Sequence, residues 1–191
     1  MGFFLDNAEI YNIPSDTFTP IQSSMPSPSM HHCAVKREST QEVYHLGGHP
    51  SATNIWIYDI ASETFQSVAP AMPNGRMRSG CHMMDSEGKL VAAGGMNDTW
   101  NDIHTVDVLD LNAGVWSATQ ALPGSTIFGF VHMEGIFIAL GLAANEIYEY
   151  QEATGMWNLM ADVDYPGGVT LWETTLAVRV DDLVQDCEFL G

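Results

Sequence analysis

Apolar residues in this chain fall in short bursts. Val43 to Leu46, Ile55 to Tyr58, Cys81 to Met84, Lys89 to Ala93, Phe130 to Met133 and Ile136 to Leu140 are runs of strand length. Each is bounded by polar or glycine-rich residues, the pattern of strands buried on one or both faces. Polar turns follow the first strand of each group at Glu38 to Gln41, Asp85 to Gly88 and Glu134-Gly135. Asn112-Ala113-Gly114 and Ala153-Thr154-Gly155 offer tight hairpin turns before a last strand. No segment sustains a 3.6-residue period with capping signals, so little or no helix is expected.

The bursts repeat. Tyr11 precedes Phe18 by seven residues, and the same gap separates Tyr58 from Phe65, Leu109 from Trp116 and Tyr150 from Trp157. The second members of these pairs lie 47, 51 and 41 residues apart. Pro26, Pro73 and Pro123 follow the first three at eight, eight and seven residues. A four-stranded unit of roughly 40–50 residues is the size of one β-propeller blade. On that reading the chain is one all-β domain, 1–191, with a half blade at 1–22, blades at about 23–72, 73–122 and 123–162, and a half blade at 163–191. The last half is read from the alternation Thr175 to Val180, the turn Asp181-Asp182 and the start of a strand at Leu183-Val184.

The landmarks resemble the kelch family. Its blade carries a diglycine ending the second strand, a Tyr in the third and a Trp in the fourth. Gly47-Gly48, Tyr58 and Phe65 match in one copy, and Gly94-Gly95, Leu109 and Trp116 in the next. In the third, Gly141, Tyr150 and Trp157 match, but Leu142 replaces the second glycine, and Phe65 and Leu109 are further departures. The diglycine allows a sharp turn and close backbone approach, and the aromatics supply apolar area for packing blade on blade. Two arrangements stay open: the half blades close a four-bladed ring, or the chain is an open arc of a larger propeller. The family resemblance favours the arc, whose open faces and edge are expected to invite self-association.

Charge narrows the partners. Six Lys and Arg face 24 Asp and Glu, a net charge of -18. Such a surface repels phosphate backbones and anionic lipid, so neither nucleic acid nor membrane is an expected partner; the charge serves solubility first, and any partner it selects is a basic protein segment. No apolar run reaches the length of a membrane helix, and Met1 to Asp6 reads neither as a signal peptide nor as a myristoylation site. Cys33, Cys81 and Cys187 show no C-x-x-C spacing. An odd, small number gives no disulfide framework, and buried free thiols in a reducing, cytoplasmic setting are expected. Asn97-Asp98-Thr99 is a glycosylation sequon that matters only in a secreted protein.

Candidate chemistry is sparse. His31, His32, His45, His49, His82, His104 and His132 form no H-x-H or H-E-x-x-H grouping, so no metal site is expected. Asp98, Asp102, Asp107 and Asp110 could serve acid–base chemistry, but hairpin turns use Asp for geometric reasons. The longest inter-strand connection runs from Met96 to Thr105 and carries an aromatic, Trp100, among polar residues. An exposed aromatic of this kind anchors partners, unless it folds back on its own unit. With the loops 49–54 and 142–146 it should share one face. The candidate partner-binding residues are therefore His49, Asn54, Asn97, Asp98, Trp100, Asp102, His104 and Asn145.

The kelch resemblance implies a non-catalytic protein-interaction module needing no cofactor, of the kind found in substrate receptors of ubiquitin ligases and in actin-binding proteins. No BTB or BACK segment accompanies it. The alternatives are a galactose-oxidase-like copper oxidase fragment, whose ligand set does not match residue by residue, and a truncated product without a function of its own.

Overall fold

The structure is a computed structural model, and it describes residues 6–67, 70–119, 121–123, 127–133, 136–141, 146–151, 154 and 156–162. These residues form fourteen strands in four antiparallel sheets. The strands β1 (Glu9–Asn12) and β2 (Thr17–Pro20) make a two-stranded half-sheet. The first full sheet is a meander of β3 (Cys33–Arg37), β4 (Glu42–Leu46), β5 (Ile55–Asp59) and β6 (Thr64–Ser67). The second is β7 (Gly80–Met84), β8 (Lys89–Ala93), β9 (Val106–Asp110) and β10 (Val115–Ala118). The third is β11 (Ile127–Met133), β12 (Ile136–Gly141), β13 (Glu146–Gln151) and β14 (Met156–Asp162). The turn expected at Asp85 to Gly88 is a single 3-10 turn, Asp85–Glu87, and no α-helix occurs among the described residues. The half blade read at 163–191 lies outside the described residues.

The seven-residue gap now has a physical meaning. Tyr11 and Phe18, Tyr58 and Phe65, Leu109 and Trp116, and Tyr150 and Trp157 are directly opposed partners across the last hairpin of each sheet. The Tyr58–Phe65 and Tyr150–Trp157 ring centroids lie 4.9 and 5.1 Å apart, a spacing worth about 0.5–1.5 kcal/mol beyond area burial. In the first two full sheets the last hairpin turn is capped by the side chain that ends the third strand. Asp59 Oδ1 accepts the Ser62 N–H at 2.8 Å, and Asp110 Oδ1 accepts those of Asn112 and Ala113 at 2.9 Å. Asp110 is thus a turn former.

Two cores form between successive sheets. Leu46, Ile55, Ile57, Met83, Leu90 and Leu109 fill the space between the first and second. Val91, Ala93, Val106, Phe130, Phe137 and Trp157 fill that between the second and third. Strand β8 serves both: Leu90 and Ala92 belong to one core, Val91 and Ala93 to the other, as a two-residue period requires. This is why its sequence is a continuous apolar run.

First strands lie side by side, β3 by β7 and β7 by β11. At the first junction Cys33 and Cys81 form a disulfide. The expected free thiols are corrected here: two cysteines on different sheets, 48 residues apart, are bonded with Cα atoms 6.0 Å apart. Cys187 is outside the described residues. At the second junction the backbone of Gly80 sits against Phe130, where an added Cβ would fall 2.2 Å from that of Phe130.

Candidate functional site

The connections around the diglycine turns build one end of the molecule. Gly47 and Gly48 have φ of 65° and 90°, a region side-chain-bearing residues rarely enter. A Cβ on Gly47 would meet the Arg76 carbonyl oxygen at 2.1 Å. That closeness is used: the Gly48 N–H donates to the Arg76 carbonyl (2.9 Å), and the Arg76 N–H donates to the Ala52 carbonyl (2.8 Å). The segment before β7 is thereby stitched to the turn of the preceding sheet. Gly94 and Gly95 repeat the conformation at 61° and 88°.

Arg76 also reaches forward. Its side chain is fully buried and pairs with Asp107, only 2% exposed, through Nη2 and Oδ2. Nη1 donates to the carbonyls of Ala92, Gly94 and Thr105 at 3.1–3.2 Å. Asn74 Nδ2 donates to the same Asp107 oxygen at 3.1 Å. Burial pulls the guanidinium pKa below its ordinary value, and the Asp107 carboxylate opposes that pull. A buried pair of this kind fixes geometry more than it adds stability. It locks Asn74 and the 73–76 segment against the second sheet. Of the four carboxylates read as candidates, Asp107 therefore has a structural partner.

Beside this lock lies an open cleft of about 580 Å³. Pro50, Ser51, Ala52, Thr53 and Asn54 line one wall, Pro73, Asn74 and Gly75 the floor segment, and Asn97, Asp98 and Ile103 the other wall. Three of the sequence candidates, Asn54, Asn97 and Asp98, meet here. The other described candidates lie outside the lining. His49 bridges Met30 through its backbone and precedes a cis bond to Pro50. Asp102 bridges Met96, and the His104 carbonyl accepts the Leu122 N–H at 2.7 Å. Asn145 is outside the described residues. Trp100 is 50% exposed, with the Arg78 guanidinium 5.1 Å from its ring centroid. One face of the indole thus leans on its own unit while half of it stays open to solvent.

The 96–103 loop is held by a side chain. Asn97 Oδ1 accepts the Thr99 N–H (3.0 Å), the Thr99 hydroxyl (2.8 Å) and the Asn101 N–H (2.9 Å). The Ile103 N–H returns to the Gly95 carbonyl at 2.9 Å, closing the loop on the diglycine. Sequence reading missed Asn74, Gly75 and Arg76. The available signal was a pair of rare cations, Arg76 and Arg78, two of the six in the chain, in a connection free of acidic residues after Pro73.

The histidines do not assemble. The rings of His32 and His45 lie 5.2 Å apart, tilted by 48°, and His45 lies 5.7 Å from Phe65. Burial, with His32 beside it, pushes the His45 pKa down to about 4. Among the described residues no group of three or more His, Cys, Asp or Glu is placed to hold a metal ion. No helix of the described residues is long and apolar enough to cross a membrane. A second, more apolar cavity of about 270 Å³ lies between the second and third sheets, lined in part by Val91, Phe130, Phe137 and Trp157.

Among solved structures the chain is similar to that of YjhT, with a TM-score of 0.64 at 15% sequence identity. The match covers 81% of this chain and 58% of YjhT, so the chain spans less than two thirds of that protein. At this identity the likeness shows a shared fold. No protein-family model and no curated protein matches the chain.

Proposed function

We propose that the chain is a kelch-type β-propeller segment acting as a non-catalytic protein-interaction module, with the cleft between residues 50–54, 73–75 and 97–103 as its binding surface. Three observations support the propeller reading: the sheets are repeated four-stranded meanders, their first strands lie side by side, and each core is shared between neighbours. The observation that carries the binding reading is the cleft itself, formed where loops of two successive repeats meet on a rigid frame. Its lining offers amide, hydroxyl and carbonyl groups suited to an extended peptide, with Trp100 exposed on the same loop as Asn97 and Asp98.

Charge selects the partner. Lys36, Arg37, Arg76 and Lys89 each pair with a carboxylate of the chain, and 24 acidic residues face only six Lys and Arg. A basic segment fits this field. The disulfide between Cys33 and Cys81 favours a partner met in an oxidising compartment over the cytosolic ligase role that the family resemblance implies.

The test is a screen of basic, neutral and acidic peptide libraries against the purified chain, followed by affinity measurements at two salt concentrations. Basic peptides should be retained, lose affinity with salt, and lose about tenfold or more with Trp100→Ala or Asp98→Lys. Retention that is blind to peptide charge and to both substitutions would overturn the assignment of this face.

A further inference from the structure

We infer that Asn97 is an N-glycan acceptor and that the protein is made through an oxidising secretory compartment. Two independent features meet in this inference. The first is the sequon Asn97-Asp98-Thr99, whose middle residue is not proline. The second is the Cys33–Cys81 disulfide, a bond that forms and persists where thiols are oxidised, a set of compartments that includes the one in which sequons are glycosylated. Either alone is weak: the tripeptide occurs by chance, and a disulfide says nothing about sugar. Together they specify one compartment and one atom within it.

The folded geometry suits the modification. Asn97 is half-buried, and Asp98, Thr99, Trp100, Asn101 and Asp102 after it are all exposed, so the sequon lies at the start of an open loop. The three hydrogen bonds to the Asn97 side chain all fall on its oxygen. Among the described residues none accepts a hydrogen bond from its Nδ2, the atom to which sugar would be joined, so attachment there breaks no contact that shapes the loop. Asn97 stands on the wall of the cleft assigned above to a peptide, and that cleft is open to solvent. A glycan there would compete with the peptide, so the peptide screen is run on chain with and without the glycan. The transfer needs a lipid-linked glycosyl diphosphate. The bond from the sugar's anomeric carbon to the diphosphate oxygen breaks, and the diphosphate leaves with the electron pair. A carbon–nitrogen bond forms to Nδ2, and one amide proton passes to a base of the transferring enzyme.

The inference is tested on the full chain isolated from the organism that makes it. Trypsin is unsuited, because no Lys or Arg lies between Lys89 and Arg179; chymotrypsin, cutting after Leu90, Met96 and Trp100, isolates the sequon. The expected result is a glycopeptide ending at Trp100 and beginning at Val91 or Asn97 that a peptide-N-glycosidase converts to the Asn97→Asp form, and no alkylation of Cys33 or Cys81 before reduction. An unmodified Asn97 overturns the acceptor, and free Cys33 and Cys81 overturn the compartment. As a second measurement, the full chain is expressed behind a secretion leader in a eukaryotic host. Wild type and Thr99→Ser should show a glycosidase-sensitive mass shift that Thr99→Ala and Asn97→Gln lose completely. Secreted wild-type chain with no shift also overturns the acceptor.

Discussion

Removing the carboxylate of Asp107 tests how the cleft is held. In Asp107→Ala the Arg76 guanidinium keeps its four carbonyl partners, those of Asn74, Ala92, Gly94 and Thr105, but loses its counter-charge at a fully buried position. Breaking one side of a buried pair costs about 3–5 kcal/mol. A domain has only about 5–15 kcal/mol in total, so the graded variant is the informative one. Asp107→Asn keeps the shape and an acceptor oxygen for Arg76 Nη2 and Asn74 Nδ2, and removes only the charge. A hydrogen bond to a charged group is worth about 1.5–3 kcal/mol against about 0.5–1.5 kcal/mol for a neutral one, so the difference sets the cost of this variant at about 1–1.5 kcal/mol. Pairing Asp107→Leu with Arg76→Met removes both charges, and should be less damaging than Asp107→Leu alone, since no ion is left without its partner. Urea unfolding followed by tryptophan fluorescence gives all these values, with equal slopes required for comparison. If the losses for Asp107→Leu and Arg76→Met simply add in the double variant, to within about 0.5 kcal/mol, the two side chains are not coupled and the reasoning fails.

Three further outcomes follow from the geometry. His45 resists protonation when folded, with a pKa near 4 against 6.5 unperturbed, so the unfolded chain binds more protons between these values. Stability should therefore fall as pH drops from 6.5 towards 4, by up to about 3 kcal/mol from this group, and His45→Phe should flatten the slope across that window. Gly47→Ala should be far more damaging than Gly114→Ala in thermal melts, because both have positive φ but the first drives a methyl into the Arg76 carbonyl while the second meets open space; the second should cost about 1 kcal/mol. Reductant should lower the unfolding midpoint of the wild-type chain and leave that of Cys33→Ser/Cys81→Ser unmoved, with a ceiling of about 4 kcal/mol for cross-linking positions 48 residues apart.

What could be read from the sequence was whatever depends on near neighbours. The seven-residue gap is a hairpin seen end to end, so Tyr58–Phe65 and Tyr150–Trp157 were visible as pairs before their strands were. The diglycines announced a sharp turn with close backbone approach, and both have positive φ in the fold. The features that escaped depend on how one sheet stacks on the next. Cys33 pairs with Leu46, the residue before its diglycine, whereas Cys81 pairs with Ala92, one residue further from its own. The two cysteines thus occupy different places in the repeat, and aligning the copies hides their partnership. Arg76 and Asp107 lie 31 residues apart and meet only when β9 is laid beside β8. Asn54, Asn97 and Asp98 were legible as loop residues, but Asn74 and Gly75 sit in a connection between sheets, where no periodicity points.

The register shared by the sheets gives the disulfide a wider meaning. Cys33 and Gly80 hold the same address in consecutive sheets, each opposite the residue before a diglycine. Cys81 and Phe130 likewise share the next address, opposite Ala92 and Ala139. One seam is therefore welded by sulfur, and the following seam, at the same two addresses, is shimmed by a phenylalanine laid on a bare backbone. Spacing between neighbours is set locally, by whichever fastener sits there, and no single symmetry has to be kept along the array. A chain built this way can gain, lose or refit one seam by two substitutions, leaving the others as they were.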